Sequence, residues 1–71
     1  MIRFWLSSIR VTSGLTHEEI AKIVGVKRQY YSMIENGSRT PSVKVAQKIA
    51  DVLNFEWILF FDEVGNEMMH L

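Results

Sequence analysis

The chain has 71 residues, eight basic and eight acidic side chains, and no cysteine. That length gives one small domain, since a fold of about 60 residues buries only roughly 60% of its unfolded surface and leaves nothing for a second core. Disulfides and thiolate metal sites are excluded, a reducing cytoplasm suits the composition, and His17 and His70 do not by themselves make a metal site.

The opening segment MIRFWLSSIR pairs a positive charge with an apolar cluster but is too short and too interrupted for a secretory signal or a membrane span. Ile2, Leu6 and Ile9, with Trp5 beside them, instead fit the inner face of a first helix running to about Ser13 and stopped by Gly14.

Leu15 to Gly37 carries the strongest signal. Thr16 and Glu19 form a capping-box pair, with Leu15 and Ile20 as a hydrophobic staple, so a second helix begins at about His17. Ile20, Ala21 and Val24 share one face of it, Ile23 is expected to be partly exposed, and Gly25 supplies a left-handed stop. Ala21 is small enough for a second helix to cross closely, and Val26 anchors the turn from inside.

The third helix is expected from about Arg28 to Glu35, with Tyr31 and Ile34 inward and Asn36-Gly37 closing it. Two short helices joined by a three-residue turn with a glycine in it form a helix-turn-helix, which points to DNA. Arg28, Gln29, Ser32 and Met33 occupy the outer face, where Arg suits guanine and Gln suits adenine in the major groove. Taken alone, this patch leaves open an ordinary solvated face. Lys27 stands where a capping Ser, Thr or Asn is usual, at a cost of roughly 0.3–1 kcal/mol for a cation at a helix N-terminus. An adjacent phosphate would turn that cost into a contact.

Ser38 to Ser42 reads as a loop, and Ser42 caps a fourth helix from Val43 to Leu53. In it Val45, Ala46, Ile49, Ala50 and Leu53 face inward, and the helix ends near Asn54. A short fifth helix is expected from Glu56 to Phe61, and the tail 62–71 is read either as disordered or as part of a dimer contact.

The zero net charge divides along the chain. Residues 1–48 carry eight basic side chains against three acidic ones, a net +5, whereas residues 49–71 carry five acidic side chains and no Lys or Arg. This polarity suits one basic face for an anionic partner and an acidic end turned away from it.

These residues resemble the XRE or Cro/C1-type helix-turn-helix family. The resemblance covers about residues 3–61 and rests on Arg10, Gly14-Leu15-Thr16, Glu19, Ala21, Gly25-Val26, Ser32, Ile34-Glu35-Asn36-Gly37, Pro41-Ser42, Ile49-Ala50 and Leu53. It implies a compact all-α, five-helix domain over residues 1–61. The helix from Arg28 is then the recognition helix, with Arg28, Gln29, Ser32 and Met33 at base edges. His17, at the family's usual glutamine site, falls at a phosphate, and Tyr30 falls near the backbone. Lys27 falls at a further phosphate contact, departing from the usual small hydroxyl residue, while Asn36, Ser38, Arg39 and Lys44 match the segment that meets the sugar-phosphate chain. Arg10 and Glu35 match a partly buried ion pair with a structural role.

Some of Trp57 to Phe61 must pack in the core, but five consecutive apolar residues cover every direction around a helix. The surplus, assigned to Trp57, Ile58, Phe60 and Phe61, is expected to form a homodimer contact that sets two recognition helices about 34 Å apart on a palindrome. The sequence thus reads as a transcriptional regulator acting on double-stranded DNA, with no enzyme site, cofactor, membrane segment or small-molecule effector. An antitoxin or other module that docks a partner through its aromatic end is the alternative.

Overall fold

Local capping chemistry sets most of the helix limits. A computed structural model describes residues 1–62, in which Thr16 Oγ1 accepts from the Glu19 N–H at 3.1 Å and Glu19 Oε1 accepts from the Thr16 N–H at 2.9 Å. This is the reciprocal box, and the N–H and hydroxyl of Thr16 hold the Glu19 carboxyl below its ordinary value. The helices are α1 (Phe4–Thr12), α2 (His17–Val24), α3 (Arg28–Asn36) and α4 (Val43–Leu53). A fifth helical segment, α5, is described over 59–62, and the domain is all-α with no strand among the described residues.

Gly25 and Gly37 end α2 and α3 with φ of 87° and 85°, in the left-handed region where a side chain is penalised. A Cβ on Gly37 would also collide with the Met1 backbone. Ser42 caps α4 by accepting from the Val45 N–H at 3.2 Å, and Asn54 closes it with φ of 60°. Lys27 stands at the N-cap of α3 and makes no side-chain cap.

The core joins Leu6 of α1, Ile20, Ala21 and Val24 of α2, Tyr31 and Ile34 of α3, Ala46, Ile49 and Leu53 of α4, and Phe60. Helix α2 packs against both α3 and α4, with Ala21 at 2% exposure allowing the close approach, while Ile23 is 59% exposed.

Three sequence expectations are corrected at the chain's ends. The first helix starts at Phe4, so Ile2 lies outside it and is 50% exposed. The inward position at that end belongs to Arg3, which is buried. Its backbone N–H donates to the Glu35 carbonyl at 2.8 Å, and its Nη1 donates to the carbonyls of Ile34 and Arg39 at 2.5 and 3.0 Å. A cation thereby meets carbonyl groups at the C-terminal end of α3, where the helix dipole favours it, and the Phe60 ring covers its guanidinium at 5.7 Å.

The fifth helix begins later than Glu56. Residues 56–58 form tight turns, with Leu59 N–H donating to Glu56 and Phe60 N–H to Trp57. The third correction concerns Phe60, expected in a dimer surface: it is 2% exposed and packs edgewise on Trp5, with ring centres 5.2 Å apart, and beside Phe55. The tail beyond Asp62 lies outside the described residues.

Candidate nucleic-acid interface

The site is built on the side of α3 opposite Tyr31 and Ile34. Arg28 and Gln29 are exposed at its N-terminal end, and Ser32 and Met33 follow half-buried. Arg28, Gln29 and Ser32 line one shallow concavity. Arg28 also borders a second groove, shared with His17, Thr16 and Glu18 at the start of α2 and with Arg10 and Val11 of α1. Two concave surfaces therefore meet at one arginine, beside the N-terminal end of α2.

What holds α3 in place is a buried carboxylate. Glu35, with its side chain 6% exposed, receives Arg10 Nε on Oε2 at 2.5 Å, and Arg10 Nη2 and Ser7 Oγ on Oε1 at 3.2 and 2.6 Å. Arg10 Nη1 also donates to the Leu15 carbonyl at 2.9 Å, tying the end of α1 to the start of the helix-turn-helix. Burial alone would push the Glu35 carboxyl up. The hydrogen bonds from Arg10 and Ser7, helped by the nearby Tyr31 hydroxyl and the Arg10 charge, outweigh it and hold Glu35 at about 2. The same hydrogen bond raises Arg10 further above its ordinary value. Tyr31 is fully buried, its Oη has no partner in good hydrogen-bond geometry, and burial pushes its ionisation upward.

His17 sits in this cluster. Its Nε2 lies 3.1 Å from Glu35 Oε1 and its Nδ1 2.8 Å from Ser32 Oγ, while the ring stands edge-on to Tyr31 at 5.6 Å. Both ring nitrogens thus have partners on α3, and 30% of the side chain remains exposed. This link between helices, like the buried Arg3, had no periodicity to announce it: it joins residues 15 apart through side chains alone.

Lys27, Asn36, Ser38, Arg39 and Lys44 are all exposed. Asn36 Oδ1 accepts from the Ser38 N–H and Oγ at 2.9 and 2.6 Å, which shapes the loop after α3. Tyr30 is half-buried and packs against the core. At the other end of the chain Ile58 and Phe61 are 49% and 38% exposed, whereas Trp57 is half-buried against the core.

A helix-turn-helix family model matches residues 6–59. The chain belongs to the XRE, Cro/C1-type helix-turn-helix family of DNA-binding transcriptional regulators. Over 70 residues it is 50% identical to an uncharacterized HTH-type transcriptional regulator, YqaF, of Bacillus subtilis, covering 99% of this chain and 92% of that one. An uncharacterized HTH-type transcriptional regulator of Archaeoglobus fulgidus is 42% identical over 64 residues, 87% of this chain and 90% of its own. The antitoxin PezA of Streptococcus pneumoniae is 34% identical over 64 residues, which span 90% of this chain but 39% of PezA. No solved structure matches the chain with comparable significance. Among the described residues no helix is long and apolar enough to cross a membrane.

Proposed function

We propose that this helix-turn-helix regulator is a cytoplasmic repressor that binds a short palindromic operator as a homodimer. The observation that carries the reading is the pair Arg28 and Gln29, exposed at the front of a helix whose back is clamped to the domain by the Glu35–Arg10 pair. A rigid helix presenting a fork of donors and an amide meets the geometric demand of base-edge recognition. Ser32 and Met33 extend that contact, while Lys27, Tyr30, Asn36, Ser38, Arg39 and Lys44 are assigned to the sugar-phosphate backbone. His17, held by Ser32 and Glu35, borders the groove into which Arg28 reaches. Occupancy of the operator is enough to obstruct polymerase, and the mechanism calls on no cofactor or effector.

The dimer contact is assigned to the apolar end. Ile58, Leu59 and Phe61 supply its exposed part and Trp57 its edge, with Phe60 supporting them from the core. Selection of bound sequences from a random duplex pool tests the reading: a palindromic motif is expected, and failure to enrich any motif would contradict it. The same apolar end and the similarity to PezA favour a second reading, in which the chain is an antitoxin and docks a partner protein there. Recovery of a stoichiometric second chain from the native host, with no motif enriched by the purified protein, would favour that alternative.

A further inference from the structure

The hydrogen-bond polarity of the cluster behind α3 reaches out to the DNA-facing surface. Glu35 is ionised and can only accept, so every group on it must donate. Ser7 and Arg10 do so, and His17 Nε2, 3.1 Å away, must carry a hydrogen as well. In the neutral ring the other nitrogen, Nδ1, is then a bare acceptor. The group facing it is the Ser32 hydroxyl at 2.8 Å, whose single hydrogen is accordingly turned inward. What Ser32 presents to the concavity it shares with Arg28 and Gln29 is lone pairs.

We propose that His17, when its ring is neutral, is a positioning residue that makes Ser32 a hydrogen-bond acceptor, so that Ser32 selects an adenine or cytosine, whose exocyclic amino group donates in the major groove, over guanine or thymine. An unconstrained serine can donate or accept and discriminates poorly. Here Glu35 fixes the His17 tautomer, His17 fixes the hydroxyl, and the hydroxyl meets the base. One carboxylate therefore both anchors the recognition helix and sets the sign of one of its contacts. The selectivity rests on the proposed DNA reading, while the tautomer does not.

Two measurements on the full chain test this. Long-range proton–nitrogen NMR of the free protein in mildly alkaline buffer should find the His17 hydrogen on Nε2 and a bare Nδ1; a hydrogen on Nδ1 alone would overturn the polarity without touching the DNA reading. Random-pool selection should give the parent an adenine or cytosine preference of about three- to tenfold at one position per half-site, the value of one hydrogen bond. Ser32→Ala should lose that preference and leave the other positions intact. His17→Gln should keep it, because an amide can donate to Glu35 and accept from Ser32. His17→Leu should admit guanine and thymine at the same position, because the freed hydroxyl can donate. Indifference of this position to Ser32→Ala, or to His17→Leu, would overturn the inference, and a His17→Leu chain that does not fold leaves the His17→Gln and Ser32→Ala results to decide it. An absence of any motif for the parent would sink the DNA reading and the base preference together.

Discussion

Replacing Arg10 with methionine removes the two guanidinium bonds on Glu35 and keeps much of the packing volume. The carboxylate stays behind with a side chain 6% exposed, and Arg10 itself is only 14% exposed, so little water reaches the pair. Breaking a buried pair from one side costs about 3–5 kcal/mol. The lower end applies here, since Ser7 still donates to Oε1 at 2.6 Å and His17 stands 3.1 Å away. A domain of this size is stable by about 4–10 kcal/mol, so a loss of about 3 kcal/mol is a large fraction of the whole. At about 4–8 °C per kcal/mol the melting temperature should fall by about 12–24 °C. Circular dichroism melts of parent, Arg10→Met and Arg28→Ala make the comparison, with the exposed Arg28 expected to matter by no more than about 0.5 kcal/mol. The double variant Arg10→Met, Glu35→Leu should recover part of the loss, because it removes the orphaned charge as well. Equal melting temperatures for Arg10→Met and parent would refute the clamp.

The same pair predicts a pH dependence. Glu35 lies at about 2 in the fold against an ordinary value of 4.5, so the unfolded chain binds more protons between those values. Its contribution, about 3 kcal/mol, is therefore present above pH 4.5 and lost as pH falls toward 2; the acid limb of the stability curve should be markedly flatter in Glu35→Gln. Gly25→Ala meets no neighbour within 4 Å, so its cost is the left-handed backbone alone, about 1–2 kcal/mol by urea titration. Gly37→Ala should cost more, because its Cβ would also strike the Met1 backbone. Lys44→Ala should weaken all duplexes alike and reduce the slope of log affinity against log salt by about 1; a changed sequence preference would contradict its assignment to phosphate.

The helix-turn-helix was legible because its limits are local. Thr16 and Glu19 find each other within one turn, and Gly25 and Gly37 mark stops that a side chain resists. The Arg10–Glu35 pair was reached through family resemblance, and the structure forms it. Arg3 was not legible, since a cation near the chain start looks like surface; its burial depends on carbonyls of residues 34 and 39, brought there by tertiary packing. Phe60 was misassigned for a related reason. Five adjacent apolar residues give no phase, and which of them turns inward depends on Trp5 and Phe55, far away in sequence. Helical spacing puts Arg28, Gln29, Ser32 and Met33 on one outer face of α3, but the contact of Ser32 with His17 had no local signal, because it joins residues 15 apart through side chains alone.

The proposed function stands or falls on whether the exposed front of α3 reads bases. Random-pool selection carried out in parallel with the parent, Arg28→Ala and Gln29→Ala tests it most directly. Each variant should lose preference at its own base pair, by roughly 1–3 kcal/mol, and keep the rest of the motif. A motif unchanged by both substitutions, at undiminished affinity, would contradict it.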